Sequence, residues 1–170
     1  MKFMSNALPK DAKKLIGKTS FKDVSPISVQ KGLWQNFCSA IEDSNPIYWQ
    51  EDKAKNHTKS IISHPALLPS WVHDFEWHPR REKVQPMQLH FNLKEILNLP
   101  LGIVTEVEIE YYLPIKDGDE INSEQKLLNI SDLVETKLGK GRYWVIEVKY
   151  FNQDKVLVGK QNMHFLGYKK

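Results

Sequence analysis

The chain has 170 residues, of which 41% are hydrophobic, enough apolar material for one sizeable core but not for two independent domains. Its formal charge of +3 arises from 24 basic and 21 acidic residues spread along the sequence, whereas nucleic-acid-binding proteins concentrate basic side chains in a patch. The composition therefore predicts one compact domain and no nucleic-acid partner.

No apolar run approaches the roughly 20 residues that a membrane-spanning helix needs, so we predict no membrane segment. The single cysteine, Cys38, excludes an intrachain disulfide, and the first residues lack the apolar stretch of a secretion signal. We therefore expect a cytoplasmic protein.

Helical patterns dominate the first half of the chain. Residues 1–14 lack periodicity and are expected to form a flexible N-terminal arm, with a first strand over residues 17–25. From Ser28, a residue typical of helix N-caps, apolar side chains recur at intervals of three and four residues and predict a helix. These side chains belong to Leu33, Trp34, Phe37, Cys38 and Ile41.

This helix leads into the motif DSNPIY at residues 43–48. Pro46 has no N–H and restricts Asn45 to extended conformations, so Asp43 and Asn45 are predicted to lie on a sharply shaped loop. A second, short helix is predicted over residues 69–77, because Pro69 suits a first helical position and the next residues are apolar. The pattern over residues 91–97 is ambiguous.

The second half of the chain has strand patterns. Residues 103–113 alternate apolar and polar side chains with the period of a half-buried strand. A turn at residues 117–118 leads to a strand over 120–134, which predicts a hairpin, and turns at 139–141 and 152–154 precede strands over 143–150 and 156–166. Because helices come first and antiparallel strands follow, the sequence predicts an α+β fold.

Three stretches in this order resemble the MaoC-like hydratase/dehydratase family, particularly the N-terminal MaoC-like dehydratase domain of paired or heteromeric enzymes. They read AIEDSNPIY at residues 40–48, IISHPALLP at 61–69 and EIEYYLPIKDGD at 108–119. The resemblance implies a single hotdog domain over residues 15–170, in which a long antiparallel sheet wraps around a central helix that begins near Pro65 or Pro69. It also implies that two hotdog chains, identical or different, pair and bind acyl thioesters of coenzyme A or acyl carrier protein along their interface.

In that family the motif ends in histidine, and its Asp and His together activate the water that adds to the enoyl thioester. This sequence has Asp43 but carries Tyr48 at the last position, and tyrosine is a poor general base because its reference pKa is about 10. His64 is the candidate to replace the missing histidine, with a structural role at a helix start as the alternative. Asp43, in turn, could act only as a hydrogen-bond acceptor for Asn45.

Active relatives polarise the thioester carbonyl with a backbone N–H at the start of the central helix. The aligned residue is Pro65, which has no N–H, so the donor is expected to be missing or displaced to Ala66.

Other substrate-binding candidates are Asn45 in the motif, Trp71 for the acyl pocket, and the basic pair Arg80 and Arg81 for coenzyme A phosphates. Core packing is the alternative for Trp71, and a solvated loop is the alternative for the arginines. No histidine spacing predicts a metal site, and no cofactor is expected.

Three functions follow from the resemblance. In the first, the chain is one subunit of an (R)-specific enoyl-thioester hydratase or 3-hydroxyacyl-thioester dehydratase and works with a second hotdog chain that has the complete motif. In the second, it is a self-sufficient homodimeric enoyl-CoA hydratase that uses Asp43 with Tyr48 or His64. In the third, it is a non-catalytic acyl-thioester binding protein.

Overall fold

One antiparallel sheet dominates the fold of the computed structural model, which describes residues 7–75, 77, 79 and 87–170. The strand order is β1-β3-β5-β6-β2, with the short strand β4 paired to β5. The strands are β1 Thr19–Val24, β2 Leu101–Tyr111, β3 Asn122–Ile130, β4 Val134–Thr136, β5 Gly139–Phe151 and β6 Leu157–Lys169. The α-helices are α1 Lys10–Leu15, α2 Lys31–Ala40, α3 Glu51–Thr58 and α4 Gln88–Leu97, and Pro46–Tyr48 and Pro65–Val72 form 3-10 helices. The predicted α+β class is confirmed.

The inner face of the sheet is formed by every second residue of the central strands. The register places Leu127, Ile146 and Met163 in one row across β3, β5 and β6, and Trp144 beside Phe165 in the next row. Most of these side chains are buried because α4 covers them with Leu89, Leu93 and Leu97. This contact surface is the main core of the domain.

Helix α4 therefore occupies the position that was predicted for a helix beginning near Pro65 or Pro69. The segment Pro65–Val72 forms only a 3-10 helix, because Pro69 has no N–H with which to close an α-helical turn onto Pro65. The prediction that a helix extends to Trp77 is also wrong, since the 3-10 helix ends at Val72 and the Phe75 and Trp77 side chains are exposed.

Strand β2 is confirmed as a strand, but not as a half-buried one. It is an edge strand, hydrogen-bonded to β6 on one side only, and nearly all its residues are exposed. The predicted hairpin between β2 and β3 is wrong, since β3 lies between β1 and β5. The hairpin joining β5 and β6 is confirmed.

The predicted helix after Ser28 is confirmed, although it begins at Lys31 with Gln30 at the N-cap position. The predicted flexible arm differs from the structure in its described part. Helix α1 begins at Lys10 and buries Ala12 completely, so ordered structure starts before Leu15. None of the helices in the described part of the chain combines the length and apolarity that crossing a bilayer requires.

Candidate active site

The motif forms a tight loop that its own side chains stabilise. The Asn45 N–H donates to Asp43 Oδ1 at 2.9 Å, and the Ile47 N–H donates to Asn45 Oδ1 at 3.3 Å. The Trp49 indole N–H donates to the Asp43 carbonyl at 2.7 Å. One carboxylate oxygen of Asp43 is thus used within the loop, and Oδ2 remains directed elsewhere.

Asp43 Oδ2 faces His64, which the fold brings to the motif from the start of the Pro65–Val72 helix. His64 Nε2 lies 3.4 Å from Asp43 Oδ2, and the two side chains are 18% and 27% exposed, so solvent and small molecules reach both. His64 Nδ1 accepts a hydrogen bond from the Ala66 N–H at 3.2 Å. A neutral His64 that accepts at Nδ1 carries its proton on Nε2, the nitrogen that faces the carboxylate.

Tyr48 packs beside this pair without providing a base. Its ring centroid lies 4.9 Å from that of His64, and Phe37 packs against His64 at 5.0 Å. Burial raises the pKa of Tyr48, and the negative charge of Asp43 raises it further. Tyr48 therefore stays protonated near neutral pH and can only help to position its neighbours.

The backbone at the start of the Pro65–Val72 helix offers no open donor. Pro65 has no N–H, the Ala66 N–H donates to His64 Nδ1, and the Leu67 N–H donates to the His64 carbonyl at 3.0 Å. A carbonyl oxygen placed here would find these groups already hydrogen-bonded.

A cavity of about 240 Å³ begins beside this helix start. One wall comes from the Pro65–Val72 helix and the segment before it, and the other from the end of β2 and the residues that follow it. The lining residues are Ile62, Ser63, Pro65, Leu68, Tyr111, Tyr112, Leu113, Pro114 and Ile115.

A larger cavity of about 570 Å³ lies on the inner face of the sheet, between β1, β3, β5, β6 and the second half of the Pro65–Val72 helix. Leu68 separates the two cavities and packs on Gly159 of β6. The strand neighbours of Gly159 are Tyr150 of β5, which lines the larger cavity, and Tyr111 of β2, which lines the smaller one.

The remaining candidates lie apart from these cavities or outside the described residues. Trp71 is buried, its indole N–H donates to Ser63 Oγ at 3.2 Å, and it lines neither cavity, so it packs as a core residue. Asn45 uses its side-chain oxygen within the motif loop. Arg80 and Arg81 lie outside the described residues.

A known protein family matches most of this chain. The sequence model of a family described as "FAS1-like, dehydratase domain region" matches residues 14–161. The chain belongs to this FAS1-like dehydratase family.

This FAS1-like dehydratase domain resembles several known proteins. It is 22% identical over 151 residues to a probable enoyl-CoA hydratase alpha subunit of Thermomonospora curvata, a match that covers 85% of this chain and 46% of the relative. The chain thus spans about half the length of that curated relative.

Two solved structures share the fold. One is the ChsH1–ChsH2 complex from Mycobacterium tuberculosis, with a TM-score of 0.77, 20% identity and coverage of 93% of this chain and 88% of that one. The other is a MaoC-like dehydratase from Rhodospirillum rubrum, with a TM-score of 0.61, 13% identity and coverage of 96% and 99%. The expected hotdog fold is thereby confirmed, and the family is one of hydratases and dehydratases.

Of the predicted substrate-binding residues, Pro65 lines the smaller cavity, but sequence reasoning missed the other wall residues of this FAS1-like dehydratase domain. Tyr111 and its neighbours were recognised as part of a strand and as a family stretch, but not as the lining of the smaller cavity. In β3, Ser123 and Gln125 hold positions that face the inside of the sheet. Polar residues at buried strand positions were a readable signal, but the face they occupy depends on a register that the sequence does not show.

Proposed function

We propose that the chain is the acyl-binding component of a two-chain (R)-specific enoyl-thioester hydratase or 3-hydroxyacyl-thioester dehydratase, acting on thioesters of coenzyme A or acyl carrier protein. The second chain is a hotdog with the complete motif, and it carries out the chemistry. The observation that carries this proposal is the start of the Pro65–Val72 helix, where Pro65 lacks an N–H and the Ala66 N–H is taken by His64. Loss of one such donor typically slows a reaction about 10²- to 10³-fold, so a fast enzyme needs this group from elsewhere.

The edge strand β2 supports pairing with a second chain. Val107, Ile109 and Tyr111 continue the inner face beyond β6, and the first and last of these remain nearly half exposed. An exposed strand edge with apolar side chains is a template for another strand, and a hotdog partner would cover both the edge and this apolar row. The relatives support the idea, since one is named an alpha subunit and another is a complex of two named proteins, ChsH1 and ChsH2.

Charge favours a different chain over a second copy of this one. The outer face of β2 carries Glu106, Glu108 and Glu110, of which Glu110 pairs with Lys160 at 2.5 Å. Suppose that β2 pairs antiparallel with β2 of a second copy about its middle residue, Glu106. Glu106 would then lie directly opposite Glu106 of the second copy, and Glu108 would lie diagonal to that residue. Like charges directly opposite each other destabilise a strand pair. A partner strand with lysine or arginine on this face fits instead.

Reconstitution tests the proposal. Hotdog chains with the complete motif, encoded by the same genome, are each co-expressed with this chain, and hydration of crotonyl-CoA is measured. We expect little activity from this chain alone and a large gain for one pair. Within that pair, Asp43→Asn should change the rate by less than about 10²-fold, the lower limit for loss of an acid–base group. Full activity of this chain alone would contradict the proposal.

A second candidate function is supported by the contact between Asp43 and His64. A partly exposed carboxylate–imidazole pair can activate water, which would make the chain a self-sufficient homodimeric hydratase. In that case the purified chain alone hydrates crotonyl-CoA, and Asp43→Asn removes the activity. An unchanged rate in that variant excludes this mechanism.

A further inference from the structure

The larger cavity has a polar floor where a sheet is expected to be apolar. The register places Asp23, Ser123 and Tyr150 in one row across β1, β3 and β5, and Gln125 and Gln161 in the next row. All of these except Asp23 are only 1% to 6% exposed. Burying polar groups costs free energy unless they are hydrogen-bonded, so five polar residues on one patch of inner face are unusual for a purely structural core.

The five side chains satisfy most of one another's hydrogen-bonding groups. Asp23 Oδ2 accepts from Ser123 Oγ at 3.1 Å and from Gln125 Nε2 at 2.8 Å. The Tyr150 hydroxyl donates to Gln161 Oε1 at 2.5 Å, and Gln125 Oε1 accepts the Leu89 N–H at 3.3 Å. Burial raises the pKa of Tyr150 and the charge of Asp23 adds to this, so the Tyr150 hydroxyl remains a donor.

Two groups of this network are left over toward the cavity. Asp23 Oδ1 makes no hydrogen bond among the described residues, and neither does the Gln161 amide nitrogen, although the Gln161 residue is only 6% exposed. One is an acceptor and the other a donor, and both residues line the same cavity. A single hydroxyl group can donate to the first and accept from the second.

Apart from the exposed Lys22 and His73 and the half-buried Ser25 and Asp74, the rest of the cavity wall is apolar. Val72 and Pro69 from the 3-10 helix face Val148 and Met163 of the sheet, and the volume of about 570 Å³ falls in the range of small-molecule sites. The negative charge of Asp23 disfavours a carboxylate or phosphate on this floor. The shape and chemistry together call for a ligand with an apolar body and an uncharged hydroxyl end.

We propose that this cavity is a binding site for an apolar molecule ending in a neutral hydroxyl group, which donates to Asp23 and accepts from the Gln161 amide. The site itself does not depend on the function proposed above. If the function proposed above is added, on which this step rests, the site also indicates the substrate class. That class is an acyl thioester whose acyl group carries a hydroxyl remote from the thioester. Pro69 follows His64 by five residues, about 10 Å along a 3-10 helix, so the cavity lies beyond the Asp43–His64 pair along the same helix.

Three alkyl probes of similar size test the site without any thioester: 1-octanol, its methyl ether and octanoate. Binding to the ¹⁵N-labelled full chain is followed by the side-chain amide signals of Gln161 and Gln125. We expect 1-octanol to shift these signals and to bind at least about tenfold more tightly than the ether, which cannot donate to Asp23. Octanoate should bind more weakly than 1-octanol because of the charge of Asp23.

Two variants assign the selectivity to the polar floor. Asp23→Asn should reduce the preference for 1-octanol over the ether to within about threefold, since the hydrogen bond to a charged group is lost. Met163→Leu, which changes an apolar residue of the same cavity, should keep the preference. Equal binding of alcohol and ether to the unmodified chain, tightest binding of octanoate, or no binding would overturn the proposal. Because the probes carry no thioester, these outcomes are independent of the reconstitution assay.

Discussion

His64 uses its two ring nitrogens for different purposes. Nδ1 accepts the Ala66 N–H at the start of the 3-10 helix, while Nε2 faces Asp43 Oδ2 at 3.4 Å. Protonation of His64 would turn Nδ1 into a donor and break the contact with Ala66. Capping and acid–base chemistry therefore compete for the same ring, which distinguishes this site from a motif in which aspartate and histidine only meet a water.

Two substitutions separate these roles. His64→Ala should lower the free energy of unfolding by about 1 kcal/mol, the usual value of a helix N-cap, whereas His64→Asn keeps a side-chain oxygen for the Ala66 N–H and should lose less than half of that. Urea unfolding measures both. Equal losses would show that packing against Phe37 and Tyr48 outweighs the cap, and a reconstituted enzyme that stays active with His64→Asn would exclude His64 as an acid or base.

His90 makes the stability of the domain depend on pH. Burial lowers the pKa of His90 to about 4, with a smaller contribution from Lys94, and its ring packs on Phe165 at 4.2 Å. The pKa is thus lower in the folded state than in the unfolded chain, where it is about 6.5, so the unfolded state binds the proton more readily. The contribution of neutral His90 to the free energy of unfolding is fully present above about pH 6.5, and the free energy of unfolding falls by up to roughly 3 kcal/mol as the pH drops toward 4.

Replacing His90 tests this expectation. His90→Leu should flatten the pH dependence of the free energy of unfolding between pH 4 and 6.5, measured by urea unfolding at several pH values. His57→Gln, at an exposed position of α3, is the matched control and should leave the slope in place. An identical slope in wild type and His90→Leu would contradict the assignment to His90.

At the scale of elements, Leu68 of the Pro65–Val72 helix packs on Gly159 of β6. A Cβ atom at Gly159 would lie 2.4 Å from Leu68 Cδ2 and 3.0 Å from the Glu110 carbonyl oxygen, so the Leu68 side chain would have to move to make room for it. The glycine thus allows the helix to approach the sheet, and Leu68 then divides the two cavities.

A double-mutant cycle tests this contact between Leu68 and Gly159. Gly159→Ala should destabilise the fold by about 1–3 kcal/mol through overpacking, and Leu68→Ala by about 2–5 kcal/mol through a cavity. Together they should cost clearly less than the sum, because the new methyl group fills space that the leucine left. Additive effects in urea unfolding would show that the two residues do not press on each other.

At the scale of the molecule, assembly depends on the charge of β2. Wild-type chains should stay monomeric alone at low salt, and so should Glu106→Lys/Glu108→Lys, which leaves the ion pair of Glu110 intact. An equimolar mixture of the two should form a one-to-one dimer, because lysines of one strand then face glutamates of the other. Sedimentation velocity measures this, with Glu106→Gln/Glu108→Gln as the neutral control.

For that control we expect weak self-association, since the repulsion is removed without any attraction being added. A wild-type chain that forms a stable dimer alone would contradict the charge argument. A mixture that stays monomeric would show that β2 is not the pairing edge.

The sequence by itself determined the features that depend on neighbours along the chain. Alternation predicted β5, the turn at residues 152–154 predicted the hairpin into β6, spacing of three and four residues predicted α2, and Pro46 predicted the sharp turn after Asn45. The family motifs, read in order, gave the hotdog fold. The strand, the helix and the turns follow from local backbone preferences and from periodicities within one element, so they need no knowledge of the rest of the molecule, whereas the hotdog fold was implied only by the resemblance to the family.

Only the tertiary structure decided which elements meet. The burial of β2 depends on what lies on its faces, and the fold leaves it at an edge of the sheet with nearly all its residues exposed. The contact between Asp43 and His64, 21 positions apart in the chain, arises because the motif loop packs against the start of the Pro65–Val72 helix. The polar floor built from β1, β3, β5 and β6 arises from strand order and register. Such contacts are set by the packing of distant segments, and a periodic pattern within one segment carries no information about its partner.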